Sequence, residues 1–174
     1  NIDDCDVIIL PYKFKGIYEP IFEKYNKLSL DHNKPLWCFY NDDKSNIFNI
    51  PSNVYLFRTS FYRKTKLPNE NPLIAFSPDY FQGKFIENTC SIGYCGQTYH
   101  GRKHYLQTLL KSSLKCNFIL RKRFWAEISV DKKQIARKEY FENMENNLFI
   151  FCHRGEGNFS YRFYETFMMG RIPI

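Results

Sequence analysis

From His153 to Glu165 the chain reads His-Arg-Gly-Glu-Gly-Asn-Phe-Ser-Tyr-Arg-Phe-Tyr-Glu, a stretch dense in groups that can hold an anion or a sugar hydroxyl. Gly155 and Gly157 let a backbone turn tightly and come close to a ligand. Asn158 suits the N-cap of a following helix, whose first N–H groups then face a phosphate or diphosphate. Arg162 offers a planar fork of donors to a diphosphate oxygen. Glu165 is an acceptor-only carboxylate, able to take both hydroxyls of a ribose. With about 100° between successive residues, Phe159, Phe163 and Phe167 form one stripe, and Tyr161, Arg162 and Glu165 fall on the other face. The stripe is expected to be core and the polar face to meet the ligand. The competing reading of Arg162 and Glu165 is an exposed i, i+3 pair, worth about 0.2–0.5 kcal/mol.

Other groups fall at the ends of strand-like runs. Ser91-Ile-Gly-Tyr-Cys95 enters a turn from Gly96 to Gly101, Asn117 to Leu120 leads into the basic cluster Arg121-Lys122-Arg123, and Arg154 follows the run Asn147 to Cys152. Gly96, Arg121 and Arg154 are therefore phosphate-site candidates by position. Asp42 and Asp43, and Asp4 and Asp6, read as turn or N-cap residues rather than a metal pair. His100 and His104 are spaced i, i+4 but lack a third ligand, so a zinc site is disfavoured.

These groups need a scaffold, and the hydrophobic pattern supplies one. Asp6 to Leu10 reads as a strand buried on both faces and stopped by Pro11. Ile17 to Leu30 reads as a helix, and Pro35 to Tyr40 and Val54 to Phe57 as two further strands. From Arg58 to Asn88 no period is clear, which suits a segment crossing between subdomains. The second half restarts the pattern: a helix from Arg102 to Leu114 with Tyr105, Leu109 and Leu110 inward, a polar helix from Lys132 to Asn146, a helix from Asn158 to Met169, and a strand opening at Arg171. Strand–helix alternation implies parallel sheets. The fold class is thus α/β with two Rossmann-like units, residues 1–88 and 89–174, in a chain expected to be incomplete because it stops inside a strand.

The 174 residues carry a net charge of +7, and its placement is uneven. Residues 1–88 hold 11 Lys/Arg against 11 Asp/Glu, whereas residues 89–174 hold 14 against 7. A basic half beside a neutral one suits an anionic ligand on one side. No RNP, KH, zinc-finger or basic-zipper pattern supports nucleic acid as that ligand. Neither a G-x-x-x-x-G-K-[ST] nor a G-x-G-x-x-G run is present, which disfavours kinases and dinucleotide enzymes. The apolar runs are strand-length, so membrane association is expected only through segments outside the chain. Six cysteines without a C-x-x-C read as buried free thiols, which favours a reducing compartment.

The run Phe151 to Ile174 resembles the donor-site signature of exostosin-like glycosyltransferases, family 47. That pattern of Ser, Arg, an aromatic, Glu and Gly-x-Ile-Pro falls on Ser160, Arg162, Tyr164, Glu165, Gly170, Ile172 and Pro173. The pieces Asp6 to Pro11, Trp37 to Asp43 and Ser91 to Gly96 resemble the same family. A looser similarity links the helix to family 10 fucosyltransferases, although Thr166 stands where that family has a lysine. The resemblance implies a GT-B fold, a nucleoside-diphosphate sugar as co-substrate on the C-terminal unit, and a glycan or glycoconjugate acceptor. Glu165 would hold the ribose, with Ser160 and Arg162 near the diphosphate. Helix dipoles and basic side chains would balance the leaving group, with no cofactor expected and neither manganese nor magnesium required. A Golgi-type lumen is the compartment implied. An inverting transfer needs a base from the first unit, for which Asp42, Asp43 and Asp79 are candidates. The alternative is a basic nucleic-acid- or glycan-binding module without catalysis.

Overall fold

The computed structural model describes residues 1–75, 90–99, 101–122, 129–155 and 157–174. The chain divides into two units, residues 1–75 with 156–159, and residues 76–155 with 160–174. The boundary expected near residue 88, together with Asp79, His100 and Arg123, lies outside the described residues.

The first unit is a four-stranded parallel sheet in the order β1-β2-β3-β4, made of β1 (Ile8–Lys13), β2 (Leu36–Tyr40), β3 (Val54–Arg58) and β4 (Glu70–Pro72), with helix α1 (Pro20–Asp31) between the first two strands. Proline opens α1, where its missing N–H costs nothing. Phe14, Phe22, Leu36, Cys38, Val54 and Leu56 form the buried core. β1 departs from expectation: it runs through Pro11 and buries only Ile8 and Leu10, leaving Ile9 exposed. It is an edge strand, where proline removes no needed donor and one face stays open. β4 was not legible because three residues show no alternation. An ion pair places it: Arg58 Nη1 donates to Glu70 Oε1 at 2.9 Å, with both side chains buried. The same guanidinium donates to the carbonyls of Asn46 at 2.6 Å and Lys44 at 3.3 Å.

The second unit is also a four-stranded parallel sheet. Its elements are β5 (Ser91–Gln97), α2 (Arg102–Lys111), β6 (Lys115–Arg121), α3 (Val130–Glu145), β7 (Phe149–Ile150), α4 (Tyr161–Met168) and β8 (Ile172–Pro173), and its strand order is β6-β5-β7-β8. The order reverses at β5, whose residues Ser91 to Cys95 are all buried. A Cβ on Gly93 would stand 2.8 Å from Asn143 Oδ1 and 2.9 Å from Asn147 Nδ2, so glycine is what lets these side chains lie against the strand. The buried amides are satisfied: Ser91 Oγ donates to Asn147 Oδ1, Asn147 Nδ2 to the Asn143 carbonyl and Asn143 Nδ2 to the Asn117 carbonyl. Arg171, also buried, donates to the carbonyls of Met144 and Glu145 and so closes the C-terminus of α3.

Two helical faces differ from those expected. On α2, Leu106 is buried and Leu109 half-buried, while Tyr105 and Leu110 are exposed. The Tyr105 ring turns to His153 instead, 5.4 Å between centroids. On α4, Phe163 is 41% and Phe167 57% exposed, whereas Thr166 is buried and Met169 beyond the helix is 2% exposed. The phenylalanine stripe is therefore the outer face. Polar residues can face inward because backbone carbonyls accept from them, as those of Cys95 and Arg162 do from Arg162 and Thr166.

The six cysteines are free thiols. Cys38 and Cys95 are buried as expected, but Cys5 and Cys90 are exposed. Among the described residues no helix is long and apolar enough to cross a membrane.

Candidate functional site

In open parallel sheets the crevice outside the strands' carboxyl ends, at the reversal of strand order, is where ligands bind. In the second unit that place is the end of β5. There the Tyr94 hydroxyl, on a fully buried ring, donates to the Gln97 carbonyl. Gly96 has φ +155°, and a Cβ on it would stand 2.8 Å from Arg162 Nη2. Helix α4 delivers that guanidinium: Nη2 donates to the Cys95 carbonyl at 2.8 Å, and the group lies 4.4 Å from the Tyr94 ring centroid and 5.4 Å from that of Tyr140. Its Nε is shut from solvent, and among the described residues it has no hydrogen-bond partner and no carboxylate forms an ion pair with the group. Burial works against the charge, but Tyr140, Tyr94 and Cys152 outweigh it and hold the guanidinium firmly protonated.

Glu165 does not pair with Arg162. Its Oε2 accepts from the Tyr140 hydroxyl at 2.5 Å, a phenol that burial, above all, pushes well above its ordinary pKa. Thr166 Oγ1 donates to the Arg162 carbonyl at 2.6 Å and lies 3.3 Å from Cys152 Sγ. Burial raises the Cys95 thiol, with Arg121 and Arg162 pulling it the other way, so these two arginines flank one strand end. Arg121 is already engaged: its Nη2 reaches Glu139 Oε2 at 2.7 Å and the Ala136 carbonyl at 2.8 Å, both on α3.

The remaining candidates are placed as follows. Arg154 is exposed beyond β7, and its carbonyl accepts from Arg102 Nη2 at 2.9 Å, while Arg102 Nε is another buried donor with no partner among the described residues. Ser160, not Asn158, is the N-cap of α4, and its side chain makes no capping bond. Tyr161 opens the helix on its exposed side. Gly157 and Asn158 group with the first unit. There Asn158 donates its backbone N–H to Ser60 Oγ at 2.9 Å and its Nδ2 to the Phe61 carbonyl at 3.0 Å. Only a glycine fits at 157, because a Cβ would stand 1.3 Å from the Asp43 carbonyl oxygen. The turn expected to cradle a phosphate is thus engaged with protein oxygens.

Asp42 and Asp43 follow β2 in the first unit. Burial pushes the Asp42 carboxyl up, but hydrogen bonds from Lys13 Nζ at 2.9 Å and the Lys44 N–H at 3.2 Å outweigh it and leave its pKa below the ordinary value. As a proton acceptor it is weakened while Lys13 is in place. Among the described residues no three His, Cys, Asp or Glu side chains are grouped to hold a metal ion.

Gly96, Arg121, Arg162 and Glu165 therefore meet around the end of β5. Comparison with family models, curated proteins and solved structures returns no match. Tyr94 and Tyr140 belong to the same cluster and were missed. Tyr140 sits on a helix whose sequence is mostly polar, and its bond to Glu165 of α4 is what gives it a role. Tyr94, in an apolar strand, reads as ordinary core.

Proposed function

We propose that this chain is a GT-B glycosyltransferase that moves a sugar from a nucleoside-diphosphate sugar, held on the second unit, to a hydroxyl of a glycan or glycoconjugate. One observation carries the reading: the half-buried Arg162 guanidinium, its Nε shut from solvent at the strand end where order reverses, with no ion pair to a carboxylate among the described residues. A cation drawn partly out of water without an ion-pair partner is costly, and such groups mark functional sites. A diphosphate supplies the missing charge, and as the leaving group it accumulates more during transfer, which is when a fixed cation contributes most. The resemblance of Ser160, Arg162, Tyr164, Glu165, Gly170, Ile172 and Pro173 to the exostosin-like pattern names the donor class. In this reading Glu165 accepts from the ribose, and Asp42 or Asp43 takes the acceptor proton.

A thermal-shift panel with UDP, GDP and their sugars tests this, with chelator present and no divalent metal. A ligand at about 100 times its Kd stabilises by roughly 2.7 kcal/mol, a shift of several degrees. A rise with at least one nucleoside diphosphate is expected. No rise with any of them, together with a salt-sensitive shift on DNA, overturns the reading in favour of a basic binding module. Stabilisation that needs manganese and disappears with chelator overturns its metal-independent form.

A further inference from the structure

We infer that Tyr140 is a positioning residue that turns Glu165 so that one carboxylate oxygen, Oε1, is presented to the ribose of the nucleotide; this rests on the donor reading above. Glu165 is half-buried on α4, and the only hydrogen bond of its side chain among the described residues comes from the Tyr140 hydroxyl to Oε2. A carboxylate held through one oxygen keeps both its rotation and its plane, and its second oxygen remains the acceptor. The carboxylate then meets a vicinal diol through Oε1 rather than gripping one hydroxyl with each oxygen.

The tyrosine is itself fixed. It comes from α3, the helix whose Asn143 lies against β5, and its ring lies 5.4 Å from the Arg162 guanidinium. Tyr140 therefore touches both groups of α4 that the donor reading uses, the cation through its ring and the carboxylate through its hydroxyl. An unpinned Glu165, one turn along the same helix from Arg162, can swing onto that cation, which has no ion pair among the described residues. A carboxylate bound to Arg162 would fill the charge vacancy the diphosphate is to occupy. By holding Oε2, the phenol keeps the two charges of α4 apart and leaves each for a different part of the nucleotide. The short distance fits a hydrogen bond to an ionised acceptor, which is the strong kind.

Tyr140→Phe removes the hydroxyl and keeps the ring beside Arg162. Calorimetry with UDP and with 2′-deoxy-UDP on the full chain, wild type and variant, reads the effect. UDP affinity is expected to fall about tenfold, in line with losing one charge-assisted hydrogen bond, and 2′-deoxy-UDP affinity to fall much less. In combination with Glu165→Gln the two losses should not add, because both act through one carboxylate. Equal UDP affinity in wild type and Tyr140→Phe overturns the inference while leaving the donor reading intact. An equal loss for both nucleotides does the same and makes Tyr140 merely structural. Wild-type protein that binds neither nucleotide removes the donor reading and this inference with it. Should the variant fail to fold, the Tyr140 hydroxyl proton of the wild type is followed by NMR. A shift on saturation with UDP that is smaller with 2′-deoxy-UDP is expected, and an unmoved signal overturns the inference.

Discussion

Gly96 illustrates how one residue governs the cluster at the end of β5. Its φ of +155° is costly for a side-chain-bearing residue, and the missing Cβ is what leaves room for Arg162 Nη2. Gly96→Ala is expected to destabilise the protein by about 1–3 kcal/mol through backbone strain and the close contact, read from urea unfolding midpoints. Because the methyl displaces the guanidinium, UDP affinity should fall in the same variant. Unchanged stability would show that the strand end relaxes freely. At Cys38, burial raises the thiol pKa from 9.0 to about 12. The unfolded chain loses this proton near pH 9 and the folded chain only near 12, so the contribution is intact below 9 and is lost as pH rises between those values. Urea melts of wild type and Cys38→Ala between pH 8 and 10.5 isolate it. The wild type should lose up to about 1.4 kcal/mol per pH unit more than the variant above pH 9. Parallel curves would mean that the thiol titrates normally.

At the scale of elements, the two sheets are held in place by different means. β4 has three residues and little apolar surface, and its pairing with β3 coincides with the Arg58–Glu70 ion pair. Removing one partner of a buried pair leaves the other uncompensated and costs about 3–5 kcal/mol. Glu70→Ala should lose that much stability, whereas Arg58→Met combined with Glu70→Leu should recover most of it. If the double variant is as unstable as the single one, the pair is needed for the carbonyls of Lys44 and Asn46 that Arg58 also satisfies. In the second unit, α4 is seated by bonds from its own polar groups: Arg162 reaches the Cys95 carbonyl and Glu165 receives the Tyr140 hydroxyl. This explains why a helix with three phenylalanines in or beside its sequence can leave two of them outside.

For the whole molecule, the charge asymmetry follows the division into units. The second unit carries 15 Lys/Arg and 8 Asp/Glu, so the full excess of +7 resides there, and the first unit is neutral. Part of that excess is already matched locally, as at Arg121 with Glu139. What distinguishes Arg162 is its position, with Nη2 on the Cys95 carbonyl at the end of β5, not its contribution to the total. Strand–helix alternation determined the parallel α/β class and two units, because each helix carries the chain back so that the next strand runs the same way. The residue types determined which groups could hold an anion. Local pattern did not determine which way a helix faces: the periodicity of α4 marked its stripe, but partners from β5 and α3, distant in sequence, decided that the stripe lies outside. For the same reason Tyr140, and the single oxygen of Glu165 left for a ligand, emerged only with the tertiary structure. Hydrogen bonds between remote elements have no signature in the spacing of either one.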